Sequence, residues 1–138
     1  MGSTLKILVA EDDPNLNWVY QSILEEAGYQ VLTASTGTEA LDMVHNKFPD
    51  LLITDAILPG MDGFELAEAV RGNPAAREIP IIFISGVAEA GDRDRAARLG
   101  IDQYLAKPVQ VTELLAAVKK ALASTGLRHT QPYSSVSE

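Results

Sequence analysis

Cysteine is absent from the 138-residue chain, which excludes both a disulfide framework and a thiolate metal site. No uninterrupted apolar run is long enough to span a bilayer, and the N-terminus lacks a signal-peptide pattern. A soluble, cytoplasmic protein with no membrane association is therefore the expectation. Positive charge is scarce: 11 Lys and Arg stand against 19 Asp and Glu, a net charge of −8. That balance argues against direct, non-specific binding of nucleic acid. Apolar residues, by contrast, make up 46% of the chain, enough at this length to fill one hydrophobic core.

Two kinds of segment alternate. The runs LKILVA (5–10), YQVLTA (29–34), DLLITD (50–55), PIIFIS (80–85) and DQYLA (102–106) are strand-sized and rich in Ile, Leu and Val. The third and fourth are apolar at consecutive positions, as in strands covered on both faces. Between them lie segments of helical period. Leu16, Val19, Tyr20, Ile23, Leu24 and Ala27 form one apolar stripe, opened by an Asp13 cap with Pro14 at the first helical position and stopped at Gly28. Thr36 and Glu39 have capping-box spacing and open a second helix, with Ala40, Leu41 and Val44 facing inward. Further helices are expected over about 63–70, over about 87–99 with Gly100 as the stop, and over 111–122 with Leu114, Leu115, Val118 and Leu122 on one face.

Five strand–helix alternations argue for an α/β, doubly wound five-stranded parallel sheet with helices on both faces. In such folds ligands bind outside the carboxyl ends of the strands. After Ala123 the apolar period stops, so the domain is expected over 5–123, with 124–138 a flexible polar tail or truncated linker.

The carboxyl ends of the strands carry the chemistry. The first strand delivers Glu11 and Asp12, the third Asp55 and the fourth Ser85, while the fifth leads into Lys107 and Pro108. Singly, each has a plain explanation as a cap, a turn residue or a surface charge. Together they have none, because two carboxylates about 4 Å apart repel by roughly 4 kcal/mol at an intermediate dielectric. Three acids at one edge call for a cation or raised pKa values. Oxygen donors without His or Cys point to Mg2+.

The segments ILVAEDDPNL, LLITDAILPGMDGFEL, IIFISG and YLAKPV resemble the signature segments of response-regulator receiver domains of two-component phosphorelay signalling. The resemblance runs from about Lys6 to Ala123, and the separations of Asp55, Ser85 and Lys107 match the family as well. It implies a flavodoxin-like strand order 2-1-3-4-5. It also implies that Asp55 accepts a phosphoryl group from a phosphohistidine of a histidine kinase or histidine phosphotransfer protein. Asp12, Asp55 and the carbonyl of Ile57 would hold Mg2+, with Glu11 acting through water. Lys107 would pair with Asp55 and then with the phosphoryl oxygens, Ser85 would bond to the phosphoryl group, and Tyr104 would be the aromatic switch residue. The Lys107–Pro108 bond resembles the family's cis peptide. A phosphorylation-dependent homodimer also fits the family. The chain is then a signalling phosphoacceptor rather than an enzyme acting on a separate substrate, catalysing only its own phosphorylation and slow dephosphorylation. It is either a stand-alone regulator or a receiver cut from a larger protein. Ser85 stands where threonine is frequent, which keeps the hydroxyl but loses a rotamer-restricting methyl.

Rival readings fare worse on the residues. A haloacid-dehalogenase-like phosphatase needs a second acid two residues after its nucleophile, where this chain has Ile57. A flavodoxin-like cofactor binder needs a first loop that welcomes phosphate, whereas Glu11-Asp12-Asp13 repels it. A receiver-like module that is never phosphorylated would lack an acid or the lysine, and none is missing. Trp18, the only tryptophan, falls off the apolar stripe of the first helix near its acidic end. It reads as a partly covered surface aromatic or as a partner anchor.

Overall fold

The computed structural model describes residues 4–86, 90–101 and 103–134, with side chains in 4–86, 92–101 and 103–123. Its elements run β1 (Lys6–Ala10), α1 (Pro14–Glu26), β2 (Gln30–Ala34), α2 (Gly37–Lys47), β3 (Leu51–Asp55), α3 (Gly63–Arg71), β4 (Ile81–Ser85), α4 (Ala90–Arg98), β5 (Gln103–Ala106) and α5 (Val111–Ser134). All strand pairs are parallel, in the order β2-β1-β3-β4-β5. The expected alternation and sheet order are both present. Val87 and Asp102, the expected starts of the fourth helix and fifth strand, lie outside the described residues.

The two-residue period of the strands sorts the core into two layers. Leu8, Leu52, Ile81 and Phe83 face a layer completed by Ala40 and Val44 of α2, Phe64, Leu66, Ala67 and Val70 of α3, and Ala96 of α4. Ile7, Val9, Leu51, Ile53, Ile82 and Ile84 face the other, completed by Tyr20 and Leu24 of α1 and by Leu114, Ala117, Val118 and Ala121 of α5. Every residue of β3 and β4 is buried, as their consecutive apolar positions require.

Helix ends follow local chemistry. Asp13 caps α1, accepting hydrogen bonds from the N–H groups of Asn15 and Leu16, and Gly28 follows the helix at φ +102°. Thr36 caps α2 through the N–H of Glu39, but the Glu39 carboxylate accepts from the N–H and hydroxyl of Ser35 instead of closing a box with Thr36. The complete capping box belongs to α3, between Asp62 and Glu65.

Two expectations are corrected. The buried stripe of α1 is Asn17, Tyr20 and Leu24, while Val19 and Ala27 are exposed. The helix is rotated towards Asn17, whose amide donates to the Glu11 carbonyl and to the Ala34 carbonyl, the latter also accepting from the Glu11 N–H. The second concerns the last helix, expected over 111–122, because α5 runs to Ser134. Extending a nucleated helix adds one backbone hydrogen bond per residue, so a helix anchored by its packed turns can outrun its last apolar contact.

Gly63 sets the junction between β3 and α3. Its N–H donates to the Ala56 carbonyl at 2.9 Å, and a Cβ there would lie 2.3 Å from the Asp55 carbonyl oxygen and 2.9 Å from the Ala56 Cα. Backbone cannot retreat from such a contact as a side-chain tip can. Gly63→Ala should therefore lose roughly 1–3 kcal/mol of stability. Gly86→Ala, whose Cβ would find its nearest neighbour among the described residues at 4.0 Å, should change it by less than about 0.5 kcal/mol. Urea unfolding of the two variants side by side checks the contrast.

Candidate phosphoacceptor site

Strand alternation, continued one residue past each end, decides which side chains can meet. Val9 and Ile53 face the α1–α5 layer, so Glu11 and Asp55 continue on that face, and Leu105 places Lys107 there too. The structure brings all three together. The Lys107 Nζ lies 2.6 Å from Asp55 Oδ2 and 3.0 Å from Glu11 Oε1. One ammonium thus bridges the ends of β1 and β3 from the loop after β5. Asp12, exposed, joins Glu11 and Asp55 in a cluster whose carboxylate oxygens lie within 4.8 Å of one another.

The remaining oxygens are also engaged. Asp55 Oδ1 accepts from the Ile57 N–H at 3.1 Å, and Glu11 Oε2 accepts from the Asp13 N–H at 3.0 Å. Asn17 donates from its side chain to the Glu11 carbonyl at 3.0 Å and the Ala34 carbonyl at 3.2 Å, tying the β1–α1 loop to the end of β2. Burial raises the pKa of Glu11, with the Asp55 charge adding to it against the Asp13 and Lys107 hydrogen bonds. Burial works against the charge of Lys107, but its hydrogen bonds to Asp55 and Glu11 outweigh that and hold its pKa above the ordinary lysine value. The ammonium is fixed in its charged form.

Ser85 and Tyr104 occupy the opposite face. Ser85 is buried at the end of β4, one residue past Ile84, the register partner of Asp55. Tyr104 pairs in register with Phe83, its ring centroid 5.9 Å from that of Phe83, with the Arg93 guanidinium 4.7 Å from its own centroid. Its hydroxyl is buried without a hydrogen-bond partner among the described residues. Ile57 is 68% exposed at the rim, and the Lys107–Pro108 peptide is cis.

The acid cluster suits a small hard cation. An octahedral ion with bonds of about 2.1 Å spans about 4.2 Å between opposite ligands, close to the spread of these oxygens. Two groups here escaped the sequence reading: Asn17 and the direct Glu11–Lys107 pair. The 17, 20, 24 spacing could have flagged Asn17 as inward-facing, but an apolar stripe ignores amides. Nothing in the sequence ties Glu11 to Lys107, because 96 residues separate them.

Comparison with known proteins fits this geometry. Residues 7–119 match the response regulator receiver domain family. The chain is 38% identical, over 85% of its length, to the phosphate regulon transcriptional regulatory protein PhoB of Rhizobium meliloti, of which it spans 52%. It spans about half the length of several such curated relatives. Among solved structures, a CheY-like response regulator receiver domain protein from Methanospirillum hungatei superposes with a TM-score of 0.86 at 31% identity, covering 91% of this chain and 99% of that one. The receiver domain of the sensor histidine kinase PA1611 from Pseudomonas aeruginosa, whose structure has magnesium coordinated in the active-site cleft, superposes with a TM-score of 0.80 at 29% identity, covering 88% and 99%. The chain belongs to the response regulator receiver domain family, the signalling domains of phosphorylation-based two-component systems.

Proposed function

We propose that Asp55 accepts a phosphoryl group from a phosphohistidine of a histidine kinase or histidine phosphotransfer protein, and that the chain relays this charge as a conformational change. The observation that carries the reading is the buried Asp55 carboxylate, with Lys107 2.6 Å away and Glu11 and Asp12 beside it. An Asp55 oxygen attacks phosphorus as the phosphorus–nitrogen bond to the donor imidazole breaks and the ring nitrogen keeps the electron pair. Lys107 moves from the Asp55 carboxylate to the phosphoryl oxygens, and the Ser85 hydroxyl donates to another.

Asp12, Asp55 and the Ile57 carbonyl would hold Mg2+, with Glu11 acting through water. The ion would supply two positive charges, so that three carboxylates, one ammonium and the metal would sum to zero before an anionic donor arrives. Phosphoryl transfer depends mainly on such positioning and neutralisation.

Bonding of Ser85 to the phosphoryl group draws the end of β4 towards the acid face and frees room for the Tyr104 ring. The buried Tyr104 hydroxyl supports this, since an unpartnered hydroxyl gains little from staying where it is. The surface of α4, β5 and α5 would then change between two states. Spectra with and without a beryllofluoride mimic check this, and shifts confined to the acid cluster would count against it.

Labelling tests the acceptor. Acetyl phosphate with Mg2+ should add one phosphoryl group by intact mass, and Asp55→Asn should abolish the addition. Equal labelling of the variant would reject Asp55.

The lifetime of the phosphorylated state follows from what lines the approach to it. Ile57, at the rim, can neither donate nor accept a hydrogen bond through its side chain, so it cannot orient an attacking water. Val87 has the same limitation in sequence and lies outside the described residues. Slow self-dephosphorylation is expected. Positioning a water is commonly worth roughly ten- to a hundredfold in rate. Ile57→Asn combined with Val87→Glu should therefore shorten the lifetime severalfold, measured by the decay of the labelled mass.

A further inference from the structure

Beside the acid cluster, on the α2 side of α1, lies an open groove of about 440 Å3 that shares Glu11 and Asp12 with it. From α1 it is lined by Pro14, Asn17, Gln21 and Trp18, the last 67% exposed, and at the start of α2 by Ser35 and Glu39. Among the described residues no Lys, Arg or His lines it, while three carboxylates do. The Glu39 carboxylate is held in place through Oε1 by the Ser35 N–H at 2.9 Å and the Ser35 hydroxyl at 3.2 Å. A groove lined by an exposed indole and a fixed carboxylate suits one side chain above all. A guanidinium is planar, stacks on aromatic faces and pairs with carboxylates through its forked donors.

We propose that this groove is a docking surface for an arginine presented by the protein that delivers the phosphoryl group, seated between the Trp18 indole and the Glu39 carboxylate. The partner's identity rests on the proposed function, because the groove opens directly beside the acids that would receive the phosphoryl group. An arginine there also offsets the negative potential that an anionic donor must approach. Trp18 and Glu39 act on docking only, since neither belongs to the transfer machinery.

The groove and the partner are tested separately. A capped alanine-based helical peptide with one arginine is titrated against its neutral citrulline counterpart. Emission of Trp18, the only tryptophan in the chain, reports occupancy in the wild type, and anisotropy of labelled peptide reports it in the variants. The arginine peptide should bind roughly three- to tenfold tighter than the citrulline one, and Glu39→Gln or Trp18→Ala should remove that preference. Equal binding of the two peptides, or a preference that survives in both variants, overturns the groove assignment. Sedimentation showing that a second copy of the chain fills the groove overturns it as well. In the second arm, transfer from a purified phosphorylated histidine kinase that labels the wild type should slow at least threefold in both variants, with acetyl-phosphate labelling unchanged. Unchanged kinase transfer overturns the partner assignment. Absence of acetyl-phosphate labelling in the wild type would instead sink the phosphoacceptor reading and leave the peptide result standing.

Discussion

Lys107 holds together three pieces of chain that otherwise have reason to separate. Its ammonium touches Glu11 at the end of β1 and Asp55 at the end of β3 while belonging to the loop after β5. In the strand order β2-β1-β3-β4-β5 those positions are brought to one edge only because every strand is parallel and every helix returns the chain to the opposite edge. The fold supplies the shared edge, and the lysine makes it tolerable. With Lys107 removed, two buried carboxylates would face each other and Asp12 without compensation, and one would have to take up a proton. The raised pKa of Glu11 shows how much burial already opposes its charge.

The same two-residue period that collects the charges on one face sends Ser85 and Tyr104 to the other. An event at Asp55 can therefore reach the far layer through β4. There Phe64, Phe83 and Tyr104 form a row, with ring centroids 4.9 and 5.9 Å apart. Arg95 of α4 lies over Phe64 and Arg93 over Tyr104, at 4.4 and 4.7 Å. Among its described side chains α4 buries only Ala96, so the arginine–aromatic contacts do much of its docking. Such contacts contribute about 0.5–1 kcal/mol each when exposed. An element held that lightly sits at the low-stability end of the structure, where motion costs least.

Most of the fold was legible because its determinants are local. Consecutive apolar residues mark β3 and β4, Asp13-Pro14 opens α1, and Gly28 and Gly100 follow α1 and α4 at positive φ. The acids and the lysine were legible because parallel topology leaves few places for strand-end residues to go. What stayed hidden depends on partners distant in sequence. Asn17 looks like a solvated helix residue until its amide is seen to donate to the carbonyls of Glu11 and Ala34. The Thr36–Glu39 spacing suggested a closed box, but Ser35 offered the glutamate two donors in place of one. The length of α5 was hidden for a different reason: apolar period marks where a helix packs, not where its backbone bonding ends.

The Asp55 carboxylate, the proposed acceptor, is constrained from several directions. Thr54 donates from its hydroxyl to the Asp55 carbonyl at 2.9 Å, and Gly63 approaches the same oxygen too closely for any side chain to intervene. Oδ1 is held by the Ile57 N–H and Oδ2 by Lys107. Each oxygen is oriented by one hydrogen bond and keeps a further lone pair, so in the proposed transfer either can attack phosphorus as charge leaves the carboxylate. The Ile57 bond is to backbone in a loop closed by the Gly63–Ala56 hydrogen bond, and it cannot follow a migrating charge. Lys107 can, since a long flexible side chain carries its three donors wherever the negative charge moves. The carboxylate loses charge as its new bond to phosphorus forms, while the phosphoryl oxygens gain hydrogen-bonding need. A lysine, rather than a rigid guanidinium, suits the proposed transfer, in which the same cation would serve the carboxylate first and the transferred group afterwards.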